Sequence, residues 1–491
     1  MNRIRLLGQW LDDRLALGRL YEHTIGHRIP ASSASWWYVF GSATLVCLII
    51  QLVTGVCLAL VYVPSPDDAY ASLEYLDYEQ PFGWYLRGLH YWGSNFMVAL
   101  VTIHMVQIFL FGAYKYPREL TWMVGCALFL ATIGMAFTGQ TMRFDQDAYW
   151  GVEIIVSILG RLPGVGEYAT HLLQGGPIVG AETLSRFFAL HVFVIPGALI
   201  GLLVIHIRLV LVLGISEYPV AGKHVEPGAY RDDYEGVVEK TGIRLMPEGG
   251  GKDLVFGALV LLAIVLCAAL IGPKIPNGPA DPTLIQTVPR PDFYFLSLFA
   301  AFALMPPYLE TVVIVYVMPL AIVLLFAVPF ISRGPERHPS RRPGAVIAVT
   351  VVLLSLFTLA WEGVQSPWSP DMDAWSGVPV QPRFVRGRSP LAHAGATILQ
   401  AKQCRNCHAL DGAGGKRGPD LAGVATRLTE DQLIRQVLQG GGNMPAYGKH
   451  LAPHEVTALV AFLGTLHPEN QPPARSAASS SSSPTGFPEP R

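Results

Sequence analysis

Charge is scarce in this chain. Asp, Glu, Lys and Arg make up 14% of its 491 residues and nearly cancel, to a net charge of -1, which leaves no bulk electrostatic argument for nucleic-acid binding. With 51% hydrophobic residues, the same scarcity excludes an ordinary soluble globule. Cysteine is scarce as well. Cys47, Cys57, Cys126 and Cys267 stand singly, so there is neither a disulfide scaffold nor a ligand set for an iron–sulfur cluster. Only Cys404 and Cys407 form a pair that asks for chemistry. The N-terminus lacks the uninterrupted apolar core of a signal peptide. In "MNRIRLLGQWLDDRLALGRL", Arg3, Arg5, Arg14 and Arg19 alternate with Leu and Trp at helical spacing, the pattern of an amphipathic helix lying on a membrane face.

Long apolar runs are abundant. Seven stretches, roughly 36–62, 87–111, 121–138, 187–213, 254–272, 311–331 and 344–362, approach or exceed the ~20 residues that cross a bilayer. Lys and Arg concentrate in alternate loops. Sixteen lie on the N-terminal side, including Lys115, Arg118, Lys223, Arg337 and Arg342, against six on the other: Arg87, Arg143, Arg161, Arg186, Lys274 and Arg290. The excess places the N-terminus in the cytoplasm, and an odd number of spans puts everything after residue 362 outside. The expected architecture is all-α: a membrane bundle of about seven helices with a four-helix core, plus a small helical domain. The expected divisions are an N-terminal segment 1–35, a four-helix domain 36–215, a loop 216–253, a three-helix domain 254–362, a Pro- and Trp-rich linker 363–388, a soluble domain 389–467 and a Ser-rich disordered tail 468–491.

His90 and His104 lie fourteen residues apart in one apolar run. On an α-helix that is about 21 Å along the axis and within ~40° of one face. His191 and His206, fifteen apart in another run, repeat the device. Two helices thus offer imidazoles at two depths, and two facing neutral imidazoles make a six-coordinate haem. A single polar residue in a membrane helix is often only hydrogen-bonded across the bundle; four at matched depth favour haem. Gly41 and Gly55, and Gly125 and Gly139, are again fourteen apart. Glycine is common in membrane helices for packing alone, but it also lets a flat macrocycle approach the backbone.

"CRNCH" at 404–408 is the attachment signature of a c-type haem: Cys404 and Cys407 bond the vinyl groups and His408 ligates iron. A zinc half-site is the alternative, but no second cysteine pair accompanies it. Met444, in "GGGNMPAYG", lies thirty-six residues beyond His408 and is the expected sixth ligand.

The segments "FGWYLRGLHYW", "YKYPRELTW", "FDQDAYWG", "TLSRFFALHVFVIP" and "NGPADP" resemble cytochrome b of the quinol:cytochrome c oxidoreductases, and the fifteen-residue interval resembles the cytochrome b6f branch. The likeness covers about residues 10–365, and 254–362 resembles the partner subunit that completes the b6f-type core. It implies two non-covalent b-type haems, one held by His90 and His191 and the other by His104 and His206. Arg87 matches a position that pairs with a haem propionate. In "VPRPDFYFLSLF", Pro291, Asp292, Phe293 and Tyr294 stand where the family has Pro-Glu-Trp-Tyr. The resemblance therefore assigns Asp292 as proton acceptor in quinol oxidation, with Tyr294 beside it; a capping role for Asp292 at the next helix is the alternative.

The chain departs from the family at several places. Gln140 and Arg143 replace a Tyr and a Pro, and Leu211 and Val212 replace basic residues of the inner quinone site, for which Arg208 is a candidate substitute. Val39 stands where the b6f branch attaches an extra inner haem through cysteine, so that haem is expected to be absent. The resemblance further implies a Rieske iron–sulfur partner, the quinol pool, a cytochrome c or similar acceptor, surrounding lipid, a homodimeric complex, and residence in a bacterial cytoplasmic membrane with the c domain periplasmic. Two other functions remain open: a transmembrane electron conduit without quinol bifurcation, and a haem-bearing structural or sensory subunit.

Overall fold

The computed structural model describes residues 2–24, 26–176, 179–281, 289–365, 379–415, 418–440, 444, 447–448 and 451–474. Half of the linker (366–378), most of the tail (475–491), and Pro282 of "NGPADP" lie outside them.

Among the described residues, seven helices are long and apolar enough to cross a membrane, and they coincide with the seven expected runs. They are α1 (Val39–Ala59), α2 (Gly83–Leu110), α3 (Glu119–Thr141), α5 (Ala181–Leu213), α6 (Gly251–Leu270), α7 (Leu309–Ile331) and α8 (Pro343–Gln365). Between α3 and α5 runs the shorter α4 (Gln146–Gly160). The C-terminal domain contains α9 (Pro390–Ala401), α10 (Glu430–Gln439) and α11 (Pro453–Leu463). Strand content is small: Arg28–Pro30 pairs antiparallel with Gly242–Arg244, and Ala409–Leu410 with Ala413–Gly414.

The chain forms two compact units. The first comprises Met1–Arg143, Phe187–Pro276 and Val312–Thr358. Here α1 packs on α2, α3 on α5, and α6 against both α1 and α2. Ala43, Cys47, Met97, Leu100, Val260 and Ile264 form one buried apolar seam. Small residues set the spacing, since a Cβ on Gly88 would lie 3.2 Å from the Ala268 methyl. Large apolar side chains remain exposed along α1, α5, α6, α7 and α8, as helices facing hydrocarbon must leave them.

Helix α5 is not a regular α-helix. A π-turn over Leu190–Val194 interrupts it and holds His191. Pro196, which has no N–H to return to the Val192 carbonyl, follows directly, and a widened turn accommodates the lost hydrogen bond. The one extra residue of a π-turn explains the fifteen-residue interval on this helix against fourteen on α2: the insertion is absorbed locally, and His191 and His206 stay on one face.

The second unit comprises Phe144–Arg186, Asn277–Thr311 and Leu359–Arg491. Its C-terminal domain packs α9 against α11, with Ala392, Ala396, Leu399, Val456, Leu459 and Leu463 in the core. Gly395 approaches so closely that a Cβ would lie 2.0 Å from the Ala458 carbonyl oxygen, which no other residue could accommodate. The Ser389 hydroxyl caps α9, accepting from Ala392 N at 3.2 Å, and a Thr429–Gln432 capping box opens α10.

Candidate functional site

In the first unit the four histidines meet in two pairs. The His90 and His191 rings lie 6.3 Å apart, centroid to centroid, at 77°. An imidazole nitrogen bonds a metal at roughly 2.0 Å, with the ring centre about 1.1 Å behind it, so two rings on one iron stand about 6.2 Å apart. The observed spacing fits. His104 and His206 lie within electrostatic reach of each other.

The threonines decide which nitrogen is available. Thr54 Oγ1 donates to Ile50 O at 2.6 Å and lies 2.9 Å from His90 Nδ1. With its proton committed to the backbone, the hydroxyl can only accept, so His90 carries its proton on Nδ1 and presents the Nε2 lone pair. Thr138 repeats the arrangement, donating to Gly134 O at 2.9 Å and standing 3.0 Å from His191 Nδ1. At the other level, His104 Nδ1 and His206 Nδ1 are buried without a hydrogen-bond partner among the described residues. The Thr121 backbone carbonyl approaches His206 without reaching hydrogen-bond geometry.

The four expected glycines stand opposite these rings. An added Cβ would meet His191 Cε1 at 2.8 Å from Gly139, His104 Cε1 at 3.1 Å from Gly41, His90 Cε1 at 3.2 Å from Gly55 and His206 Cε1 at 3.5 Å from Gly125. Glycines of α1 thus receive the histidines of α2, and glycines of α3 those of α5. The signal for the threonines was in the sequence as the repeated dipeptides Thr54-Gly55 and Thr138-Gly139; what hid it is that Thr is unremarkable until its hydroxyl is seen against an imidazole. Arg87 is buried at the start of α2, with Nε on Asp77 Oδ1 at 2.7 Å, a second contact to Asp77 Oδ2, and Nη1 on Lys274 O at 3.1 Å. The residues at the expected departures, Gln140, Arg143 and Val39, are buried.

The second unit holds the other expected residues. Asp292 is 7% exposed, and the Tyr294 hydroxyl donates to its Oδ2 at 3.1 Å. Asp292 precedes the short 3-10 turn Phe293–Phe295, but its side chain makes no capping hydrogen bond, so the structure does not use this carboxylate as a cap. Helix α4 braces the segment before it. Asp145 caps α4 through Ala148 N at 2.9 Å and accepts from Asn277 N at 3.1 Å. Asp147 accepts from Arg290 N at 3.0 Å, and Gln146 donates to Asp281 O at 2.8 Å. The polar start of α4 therefore holds Asn277, Asp281 and Arg290.

In the C-terminal domain, Cys404 opens a short 3-10 turn and Cys407 follows its end; burial pushes the Cys404 thiol up to about 12. His408 Nδ1 donates to Pro419 O at 2.8 Å, leaving Nε2 for a metal. Gly418 makes room for this ring, since a Cβ there would lie 2.4 Å from His408 Cε1. Arg405 is buried, and its Nη2 donates to Ala413 O at 2.9 Å. Met444 Sδ accepts from Gln436 Nε2 at 3.6 Å. Neither Gln436 nor Gly418 carries a sequence signal of its own.

A helical membrane bundle with paired histidines at two levels, the Nδ1 of His90 and of His191 each against a threonine, is the architecture of a membrane-embedded electron-transfer cytochrome. The family comparisons make this specific. Residues 26–214 match the model for cytochrome b/b6/petB, 279–375 that for cytochrome b (C-terminal)/b6/petD, and 390–463 that for cytochrome c oxidase, cbb3-type, subunit III. The chain is 32% identical over 367 residues to a cytochrome b of Allochromatium vinosum, covering 72% of this chain and 87% of that one. It is 36% identical over 217 residues to the menaquinol:cytochrome c reductase cytochrome b subunit of Geobacillus thermodenitrificans, 43% of this chain and 97% of the relative. A solved hyperthermophilic respiratory complex III superimposes with a TM-score of 0.60 at 27% identity, over 73% of this chain and 91% of that chain. The chain belongs to the cytochrome b/b6 family, with the b6-like and petD-like parts in one polypeptide and a cytochrome c domain at the C-terminal end. It is an integral membrane protein, and its family implies haem cofactors.

Proposed function

We propose that this chain is the cytochrome b/c subunit of a quinol:cytochrome c oxidoreductase. The observation that carries the reading is the coexistence, in one polypeptide, of two levels of paired histidines with a covalent-attachment motif. His90 with His191, and His104 with His206, would hold two b-type haems, with Gly41, Gly55, Gly125 and Gly139 keeping the approach open; Cys404, Cys407, His408 and Met444 would hold one c-type haem. When bound, these haems carry single electrons, so that one electron of each quinol passes by way of an iron–sulfur partner to the c haem and the other crosses the membrane through the b haems.

The chain's own residues supply the rest. Thr54 and Thr138 fix the tautomer that leaves Nε2 available. Asp292, buried and touched by Tyr294, accepts a proton of quinol, because two electrons cannot leave without two protons. Arg87 anchors the start of α2 through Asp77, and the family resemblance gives it a haem propionate as a further partner. The scattered cysteines cannot hold an iron–sulfur cluster, so a Rieske protein is the required partner, and a cytochrome c the acceptor. The loop charges place the N-terminus in the cytoplasm and the c domain on the periplasmic side, where c-type haem is attached. The proposed functional divisions are di-haem 36–215, quinol-site 254–362 and cytochrome c 389–467. Proton release outside and uptake inside make turnover electrogenic.

The test is a redox-difference spectrum of the purified complex, with pyridine haemochrome quantitation and reduction by a soluble quinol. Two b haems to one covalent c haem, all reducible by quinol, support the reading. Haems that dithionite reduces and quinol does not would overturn it.

A further inference from the structure

The loop after α2 and the loop between α7 and α8 gather three cations at one cavity. It has a volume of about 400 Å³, and Phe109, Lys115, Ser332, Glu336, Arg342 and Gly344 are among the residues that line it. Lys115 is 7% exposed, and its Nζ donates to Gly334 O at 2.6 Å and to Glu336 O at 2.7 Å. From the opposite loop, Arg342 Nη1 donates to Phe109 O and Leu110 O, both at 3.0 Å, and Nη2 to the Tyr114 hydroxyl at 2.7 Å. Arg337 Nη2 donates to Tyr116 O at 2.7 Å, and its Nε is buried with no hydrogen-bond partner among the described residues. All of these acceptors are neutral. Among the described residues, none of the three cations has a carboxylate within salt-bridge distance. The Glu336 carboxylate is turned instead to the backbone, accepting from Arg337 N at 2.9 Å, His338 N at 2.8 Å and Gly222 N at 2.9 Å.

Like charges held together out of water are costly without a counter-ion, and a phosphate anion in the cavity would supply one. The neighbourhood shows which phosphate. Ile331, beside Ser332 at the end of α7, and Ile347, two residues beyond Ala345 near the start of α8, are 66% and 62% exposed, so bare apolar surface runs directly away from the cationic cavity along two spanning helices. We propose that this cavity binds the phosphate headgroup of an anionic phospholipid, whose acyl chains lie along the exposed apolar surface of α7 and α8.

The electrostatics agree. Burial, with Arg342 and Arg337 adding to it and Glu336 opposing, holds the Lys115 ammonium below its ordinary value, at about 8, and a bound anion would relieve that strain. The cavity also lies on a seam of the chain: Lys115 belongs to the b6-like part, 26–214, and Arg337 and Arg342 to the petD-like part, 279–375. A lipid phosphate held by cations of both parts fastens one to the other. The site uses no residue assigned to a haem or to quinol, so it stands apart from the functional reading above.

The experiment starts from the purified complex stripped of lipid in detergent. Native mass spectrometry counts bound lipid, and thermal unfolding is followed against added phosphatidylglycerol, phosphatidylcholine of the same chains, or inorganic phosphate. Phosphatidylglycerol should bind and raise the unfolding midpoint, and the other two should not. Gly344→Glu puts a carboxylate into the cavity at a position where an added Cβ meets nothing within 4 Å. It should keep the lipid-free midpoint and lose one tightly bound phosphatidylglycerol per chain, its affinity falling about tenfold or more; Arg342→Gln should weaken the same lipid. Phosphatidylglycerol bound as tightly by Gly344→Glu as by the wild type overturns the proposal. Equal stabilisation by phosphatidylcholine would overturn the anionic headgroup, and equal stabilisation by inorganic phosphate would overturn the lipid in favour of a free anion.

Discussion

Replacing Gly139 by Ala should expel the haem proposed between His90 and His191, and replacing Gly125 should leave both proposed b haems in place. The new Cβ at 139 would lie 2.8 Å from His191 Cε1, about 0.6 Å inside the 3.4 Å where ordinary contact begins, whereas at 125 it would lie 3.5 Å from His206 Cε1. His191 cannot yield freely. Retreating by about 0.6 Å would stretch its 3.0 Å contact with Thr138 beyond hydrogen-bond range and move Nε2 by several times the ~0.2 Å tolerance of a metal bond. Overpacking costs about 1–3 kcal/mol, and loss of the supporting hydrogen bond weakens metal affinity about 10–100-fold. Together these amount to about 100-fold or more in haem affinity. The assay is pyridine haemochrome stoichiometry with a redox titration: Gly139→Ala should bring one b haem per covalent c haem, Gly125→Ala two. Two b haems with unchanged midpoint potentials in Gly139→Ala, or a larger loss in Gly125→Ala, would refute the steric argument.

Thr54→Val and Thr138→Val should each retain haem but shift the midpoint potential of the same b haem, because each removes the acceptor that holds Nδ1–H; a titration in which the other b haem moves instead would break the pairing. Asp292→Asn should slow quinol-driven reduction about 10²-fold or more while dithionite-reduced spectra stay normal, and Asp292→Glu should restore most of the rate. Cys404→Ala should abolish or weaken the haem stain of the denatured band and leave both b haems in the difference spectrum. Gln436→Leu should preserve covalent attachment yet shift the c-haem potential, since Gln436 donates to Met444 Sδ; an unchanged potential would remove Met444 from the iron.

Much of this protein was legible because its constraints are one-dimensional. Bilayer thickness writes a length onto each spanning helix, so all seven were visible as apolar runs, and helical pitch writes a fourteen-residue interval between ligands stacked on one face. Covalent attachment of haem requires two thiols and an imidazole within five residues, so 404–408 needed no fold to be read. The sequence by itself therefore determined the number of spans, the identity of the ligand candidates and the class of cofactor. Only the tertiary structure decided which imidazole faces which, that Thr54 and Thr138 set the tautomer, and that the extra residue between His191 and His206 is absorbed in a π-turn. The same holds for Asp292, freed from capping while Asp145 and Asp147 on α4 hold Asn277 and Arg290 before it. Contacts of this kind join residues tens to hundreds of positions apart. A hydroxyl or carboxylate gains its role from the atom opposite it, and that atom is chosen by packing.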